Sequence, residues 1–67
     1  MNKFAERLKE LREEKGLFQN QLAKLTGFTQ GAIALWEKNK RVPSIDVAII
    51  FAKFFNVSVD YMVGYVD

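Results

Sequence analysis

The stretch from Gln19 to Glu37 constrains this chain more than any other. It reads Gln-Asn-Gln-Leu-Ala-Lys-Leu-Thr-Gly-Phe-Thr-Gln-Gly-Ala-Ile-Ala-Leu-Trp-Glu. The pattern predicts two short helices joined by a tight turn. Leu22 and Ala23 face inward on the first helix, and Gly27 sits at the corner. Thr29 can cap the second helix, which buries Ile33 and Trp36. A helix that stops and turns sharply needs a residue at positive φ, where a side chain clashes, and Gly27 meets that need. Two helices crossing at a steep angle leave little room at the contact, which suits Ala23. An unrelated pair of amphipathic helices would seldom place a small residue, a glycine, a cap and an apolar residue at these offsets.

That arrangement is a helix-turn-helix, whose second helix enters a DNA major groove. The rest of the chain must support it with few residues. Sixty-seven residues make one domain, near the lower limit for folding without disulfides or metals. There is no cysteine or histidine, which removes thiol nucleophiles, imidazole bases and the usual zinc ligands together. No metal or other cofactor is expected. Six Phe, one Trp and two Tyr, with 49% apolar residues, are enough for a core. A net charge of +2 is only a mild pull towards polyanions, so the position of the cations matters more. No apolar run is long enough to span a membrane, and the Met-Asn-Lys-Phe-Ala-Glu start carries no signal-peptide apolar region. A cytoplasmic protein is expected.

Residues 3 to 15 read as a first helix, with Asn2 as N-cap and Gly16 as stop. Phe4, Leu8 and Leu11 form its apolar stripe. Arg12 lies one turn beyond Leu8 at the edge of that stripe, where a guanidinium needs a carboxylate. The second helix covers 19 to 25. Phe18 stands where a Ser, Thr or Asp cap is expected, so Gln19 is expected to help start this helix. The third helix covers about 30 to 38 and places Glu37 beside Ile33 and Trp36. Arg12 and Glu37 are therefore expected to meet as a partly buried ion pair, tying the first helix to the third.

The opposite side of the third helix holds Gln30, Gly31, Ala34, Leu35 and Lys38, with Ala32 at the margin. Lys38-Asn39-Lys40-Arg41 follows, with three cations in four residues. Asn39 tolerates the left-handed conformation and ends the helix. Ser44 caps a fourth helix running to about Phe55, where Asn56 stops it, and Ser58 caps a short fifth, Val59 to about Val63. The fourth helix has two apolar faces: Ile45, Ala48, Phe51, Ala52 and Phe55 on one, and Val47, Ile50 and Phe54 on the other. Tyr61, Met62, Tyr65 and Val66 follow. The second face, with Tyr61, Met62 and Tyr65, is a candidate contact surface for a second copy or a further domain after Asp67. Ser44 and Ser58 are caps and not nucleophiles, and no acid, base or nucleophile constellation supports an enzyme.

Leu-Arg-Glu-Glu-Lys-Gly-Leu, Gln-Leu-Ala-x-x-x-Gly, Ile-x-x-Trp-Glu, Lys-Arg-x-Pro-Ser and Phe-x-Val-Ser-Val-Asp occur in that order from about Phe4 to Val63. Together they closely resemble the Cro/C1-type helix-turn-helix family, also called the xenobiotic-response-element family, of phage repressors and their bacterial relatives. The resemblance implies an all-α, compact five-helix lambda-repressor-like domain with its helix-turn-helix at the second and third helices. It implies a homodimer on a two-fold double-stranded DNA operator, and the Arg12–Glu37 salt bridge. It also implies roles for single residues. Gln19 would contact a phosphate, and Thr29 would cap the third helix and touch the backbone. Gln30 would read a base, most naturally adenine through N7 and N6. Lys40 and Arg41 would meet phosphates, and Asn39 would offer its backbone amide.

Gly31, Ala32 and Leu35 occupy positions that often carry polar readers in that family. With Ala34 they leave few hydrogen-bonding groups, so an A·T-biased and modest direct readout is expected, with phosphate contacts and DNA shape supplying much of the rest. Two functions remain open at this level. One is a sequence-selective transcriptional repressor. The other is a protein-interaction module, such as an antitoxin or the partner of an anti-repressor, using the apolar surface of the fourth and fifth helices.

Overall fold

The computed structural model describes residues 2–65; Val66, grouped above with the apolar C-terminal residues, lies outside them. Five helices follow in order: α1 (Phe4–Glu14), α2 (Gln19–Thr26), α3 (Gln30–Glu37), α4 (Ile45–Phe55) and α5 (Val59–Val63). Their starts are set locally. The Asn2 side chain accepts a hydrogen bond from the Phe4 N–H at 3.0 Å. Thr29, Ser44 and Ser58 cap α3, α4 and α5 by accepting from the N–H groups of Ala32, Val47 and Tyr61. Each satisfies one of the donors that a helix N-terminus leaves orphaned. The start of α2 departs from expectation. Gln21, not Gln19, supports it: its side-chain carbonyl accepts from the Phe18 N–H at 2.8 Å.

The ends are local too. Gly27 follows α2 at φ 81° and turns the chain into α3. Asn39 and Asn56 are the only non-glycine residues at positive φ among those described, and each follows the last turn of a helix. At Asn39, N–H groups of residues 39 and 40 close back onto the Trp36 and Leu35 carbonyls at 3.0 and 2.9 Å. That double closure satisfies two of the carbonyls in the last turn of α3.

Periodicity decides which face each helix buries. Phe4, Leu8 and Leu11 of α1, Leu22 and Ala23 of α2, and Ile33 and Trp36 of α3 are buried as expected. The Trp36 ring meets those of Phe28, Phe51 and Phe4 at 5.1, 5.7 and 6.5 Å, all near-perpendicular. This aromatic cluster joins α1, α3 and α4 through the α2–α3 turn. Edge-to-face pairs of this kind add about 0.5–1.5 kcal/mol each beyond area burial.

Two expectations for the C-terminal half fail. Ile45 was expected inside with Ala48, Phe51, Ala52 and Phe55; those four are buried, but Ile45 is 63% exposed. It occupies the first position of α4, ahead of the turn that reaches the core. Met62, expected on the contact surface, is fully buried. The reason is that α5 packs on both α4 and α1, so its inward residue is covered from two sides. A backbone hydrogen bond from Lys3 N–H to Val63 O, 3.0 Å, fixes α5 against the start of α1.

Candidate nucleic-acid interface

The Arg12–Glu37 pair forms as expected and does more than join two helices. Arg12 Nε and Nη2 donate to the two Glu37 carboxylate oxygens at 2.6 and 3.0 Å. Arg12 Nη1 also donates to the Leu17 carbonyl at 2.8 Å. Gln19 Nε2 donates to Glu37 Oε1 at 3.1 Å. The ion pair therefore gathers α1, the loop after it, the first residue of α2 and the last residue of α3. Side-chain exposures of 10% and 4% make the pair largely desolvated. The hydrogen bond to Glu37 holds the Arg12 guanidinium above its ordinary pKa, against the lowering effect of burial. Bidentate geometry of this kind is directional, so it fixes the roll of α3 as well as its distance.

With α3 so fixed, its N-terminal end projects outward. Thr29, Gln30 and Gly31 are exposed. Ala34 and Leu35 are half-buried. Ala32 is also half-buried and packs against the core, so its side chain faces inward more than the sequence suggested. Beyond the helix, Lys38, Asn39, Lys40 and Arg41 are all exposed. The chain thus sets one glutamine and three cations around a single exposed helix.

One polar group differs from expectation. The Asn39 backbone N–H donates to the Trp36 carbonyl, so it serves the helix end and is not an outward donor. The Gln19 side chain, half-buried, is oriented by Glu37. That bond engages one of the two N–H donors of the Gln19 amide.

Of the apolar contact candidates, Ile50 is 41% and Tyr65 81% exposed, while Val47 and Phe54 are half-buried and pack against the core. Tyr61 is half-buried, with the Arg7 guanidinium 4.0 Å from its ring centroid. Sequence reasoning overlooked Arg7, which is buried. The signal was present: at about 100° per residue Arg7 borders the Phe4–Leu8–Leu11 stripe on the Leu11 side, as Arg12 borders it on the Leu8 side. The cation–π contact with Tyr61 is one of the contacts that hold the guanidinium there.

This combination of five helices, a glycine-cornered α2–α3 pair and a charge-locked, outward α3 defines a helix-turn-helix domain. The helix-turn-helix family model matches residues 8–62, and the chain belongs to that family, in its Cro/C1-type branch. It is 33% identical over 64 residues to an uncharacterized HTH-type transcriptional regulator of Bacillus subtilis, YobD, covering 96% of this chain and 57% of that one. It is 36% identical over 61 residues to the HTH-type transcriptional activator BcrR of Enterococcus faecalis, covering 91% and 30% respectively. The chain therefore spans about half the length of one of these curated relatives and under a third of the other. Among solved structures it is similar to a transcriptional regulator from Listeria innocua, with a TM-score of 0.88 and 34% identity, over 100% of this chain and 63% of that one. It is also similar to the restriction-modification controller protein C.AhdI from Aeromonas hydrophila, with a TM-score of 0.79 and 32% identity, over 90% and 87%.

Proposed function

We propose that this chain is the double-stranded-DNA-binding domain of a bacterial or phage transcriptional regulator, acting as a repressor by occupying a two-fold operator as a homodimer. The observation that carries this reading is the outward end of α3: exposed Gln30 leads it, and exposed Lys38, Lys40 and Arg41 follow it. In this reading α3 enters the major groove and Gln30 pairs with adenine. Thr29, Lys40 and Arg41 grip phosphates on either side, with Lys38 near the groove edge.

Size supports a dimer. The described residues extend 28 Å along their longest axis. Two half-sites on one face of DNA lie about 34 Å apart, so one domain serves one half-site. Val47, Ile50, Phe54 and Tyr65 are the residues assigned to the contact between copies, with Tyr61 at its margin. The same exposed Ile50 and Tyr65 favour a second reading, a protein-interaction module of the antitoxin or anti-repressor-partner kind.

Selection from a random duplex library at two salt concentrations separates the readings. The DNA reading expects a two-fold motif and a steep salt dependence. With roughly 6–10 phosphate contacts, affinity falls by about 10³–10⁵ between 50 and 200 mM salt. An unenriched pool, with no complex even at low salt, would sink it and leave the protein-interaction reading.

A further inference from the structure

The outward line of α3 is centred on a glycine. At about 100° per residue, buried Ile33 and Trp36 set the inward direction, and Gly31 and Lys38 project opposite them. Ala34 and Leu35 flank that line. Gln30 lies roughly a quarter-turn away, towards the Glu37 edge.

Nothing within the domain calls for glycine at this position. Gly16, Gly27 and Gly64 all have positive φ, but Gly31 does not. A Cβ at Gly31 would meet only Thr29 Oγ1, at 4.0 Å. Glycine inside a helix is disfavoured relative to alanine. The residue is exposed, its backbone is ordinary, and its missing side chain relieves no internal contact.

We infer that Gly31 floors a methyl-sized notch, walled by Ala34 and Leu35 one turn on, which seats the 5-methyl group of an operator thymine. This deepens the proposed function and rests on it. The thymine methyl is the only methyl group on the major-groove edges of the four bases. Ala34 and Leu35 offer no donor or acceptor, so heteroatom edges give them nothing to pair with. A methyl entering between them reaches the bare Cα of Gly31, where any larger residue would fill the space. Gln30, a quarter-turn away, reads adenine on the adjoining step. Specificity then comes from one hydrogen-bonding side chain and one shape-matched apolar gap.

The test uses the duplex obtained from selection. Each thymine is replaced in turn by uracil, which removes the methyl and keeps base pairing, and Kd is measured by fluorescence anisotropy at fixed salt. One thymine per half-site is expected to lose about fourfold, the effect of one buried methyl. Gly31→Ala is expected to raise the thermal midpoint by on the order of 4 °C, because alanine is the better helix former. The same variant should weaken binding to the thymine duplex and erase the thymine–uracil difference. The notch is overturned when no uracil duplex differs by as much as about twofold, or when the difference persists undiminished in Gly31→Ala. Failure of the unaltered protein to bind any duplex overturns the DNA reading itself, and the notch with it.

Discussion

Replacing Glu37 by glutamine tests the network that holds α3 in place. The change keeps the shape of the side chain and removes its charge. Glu37 accepts from Arg12 Nε, Arg12 Nη2 and Gln19 Nε2 at 2.6, 3.0 and 3.1 Å. Its side chain is 4% exposed and that of Arg12 is 10% exposed. Water therefore cannot resolvate the guanidinium once its partner is neutral. Breaking a buried pair on one side costs about 3–5 kcal/mol. Arg12 keeps its bond to the Leu17 carbonyl, and the new amide oxygen can still accept one hydrogen bond, which favours the lower end. A domain of this size holds roughly 3–10 kcal/mol in total, so a loss of about 3 kcal/mol removes roughly 30% or more. At about 4–8 °C per kcal/mol, the thermal midpoint should fall by roughly 12–24 °C.

Urea unfolding followed by far-UV circular dichroism and Trp36 fluorescence provides the measurement. The expected result is a lowered midpoint with an unchanged slope. Because the pair is desolvated, the loss should persist at 1 M salt, where a surface pair would be screened. The pH dependence follows from the sign of the Arg12 shift. A basic group whose folded pKa is raised gives stability that is complete below its unfolded value and is lost only as pH rises through the folded one. The Arg12 contribution is therefore flat across the ordinary pH range and disappears only in strong alkali. A Glu37→Gln protein that unfolds with the unaltered midpoint and slope would refute the assignment of this pair as the fastener of α3.

Three further outcomes are expected. Gln30→Ala should cost about 1–3 kcal/mol against cognate DNA and relax one position of the motif, whereas Arg41→Ala should weaken all sequences alike and lower the salt slope by about one; equal losses from both on cognate and scrambled duplexes would remove Gln30 as the reader. Met62→Ala should destabilise the domain by about 2–5 kcal/mol in thermal melts, since its side chain is fully buried, while Tyr65→Ala, at an 81% exposed position, should leave the monomer within about 0.5 kcal/mol and shift only the monomer–dimer balance in analytical ultracentrifugation. Gly64→Ala places a Cβ 2.8 Å from the Lys3 Cβ at a φ of 81°, so it should loosen α5 from α1 and speed amide exchange at the Lys3 N–H, whose acceptor is Val63 O.

Much of this domain is written locally. Thr29, Ser44 and Ser58 cap the helices they precede, and Gly27, Asn39 and Asn56 adopt the left-handed turns that end others. Such features depend on a residue and its neighbours within about one turn, so a sequence states them directly. The Arg12–Glu37 pair spans 25 positions and was still legible, because each charge sits at the edge of an apolar stripe.

Other features required the packed molecule. Met62 and Tyr65 are both apolar residues near the end of the chain, yet one is wholly buried and the other almost fully exposed. The sequence makes α4 and α5 apolar on more than one side, and only the seat of α5 against α1 decides which side is covered. Arg7, near the start of the chain, meets the ring of Tyr61, which arrives from the far end. Gln19 turns to Glu37 because α2 and α3 cross where they do. Periodicity and capping fix where helices begin, end and carry apolar faces. Which face meets which neighbour depends on contacts between residues distant in sequence, and those exist only once the helices have packed.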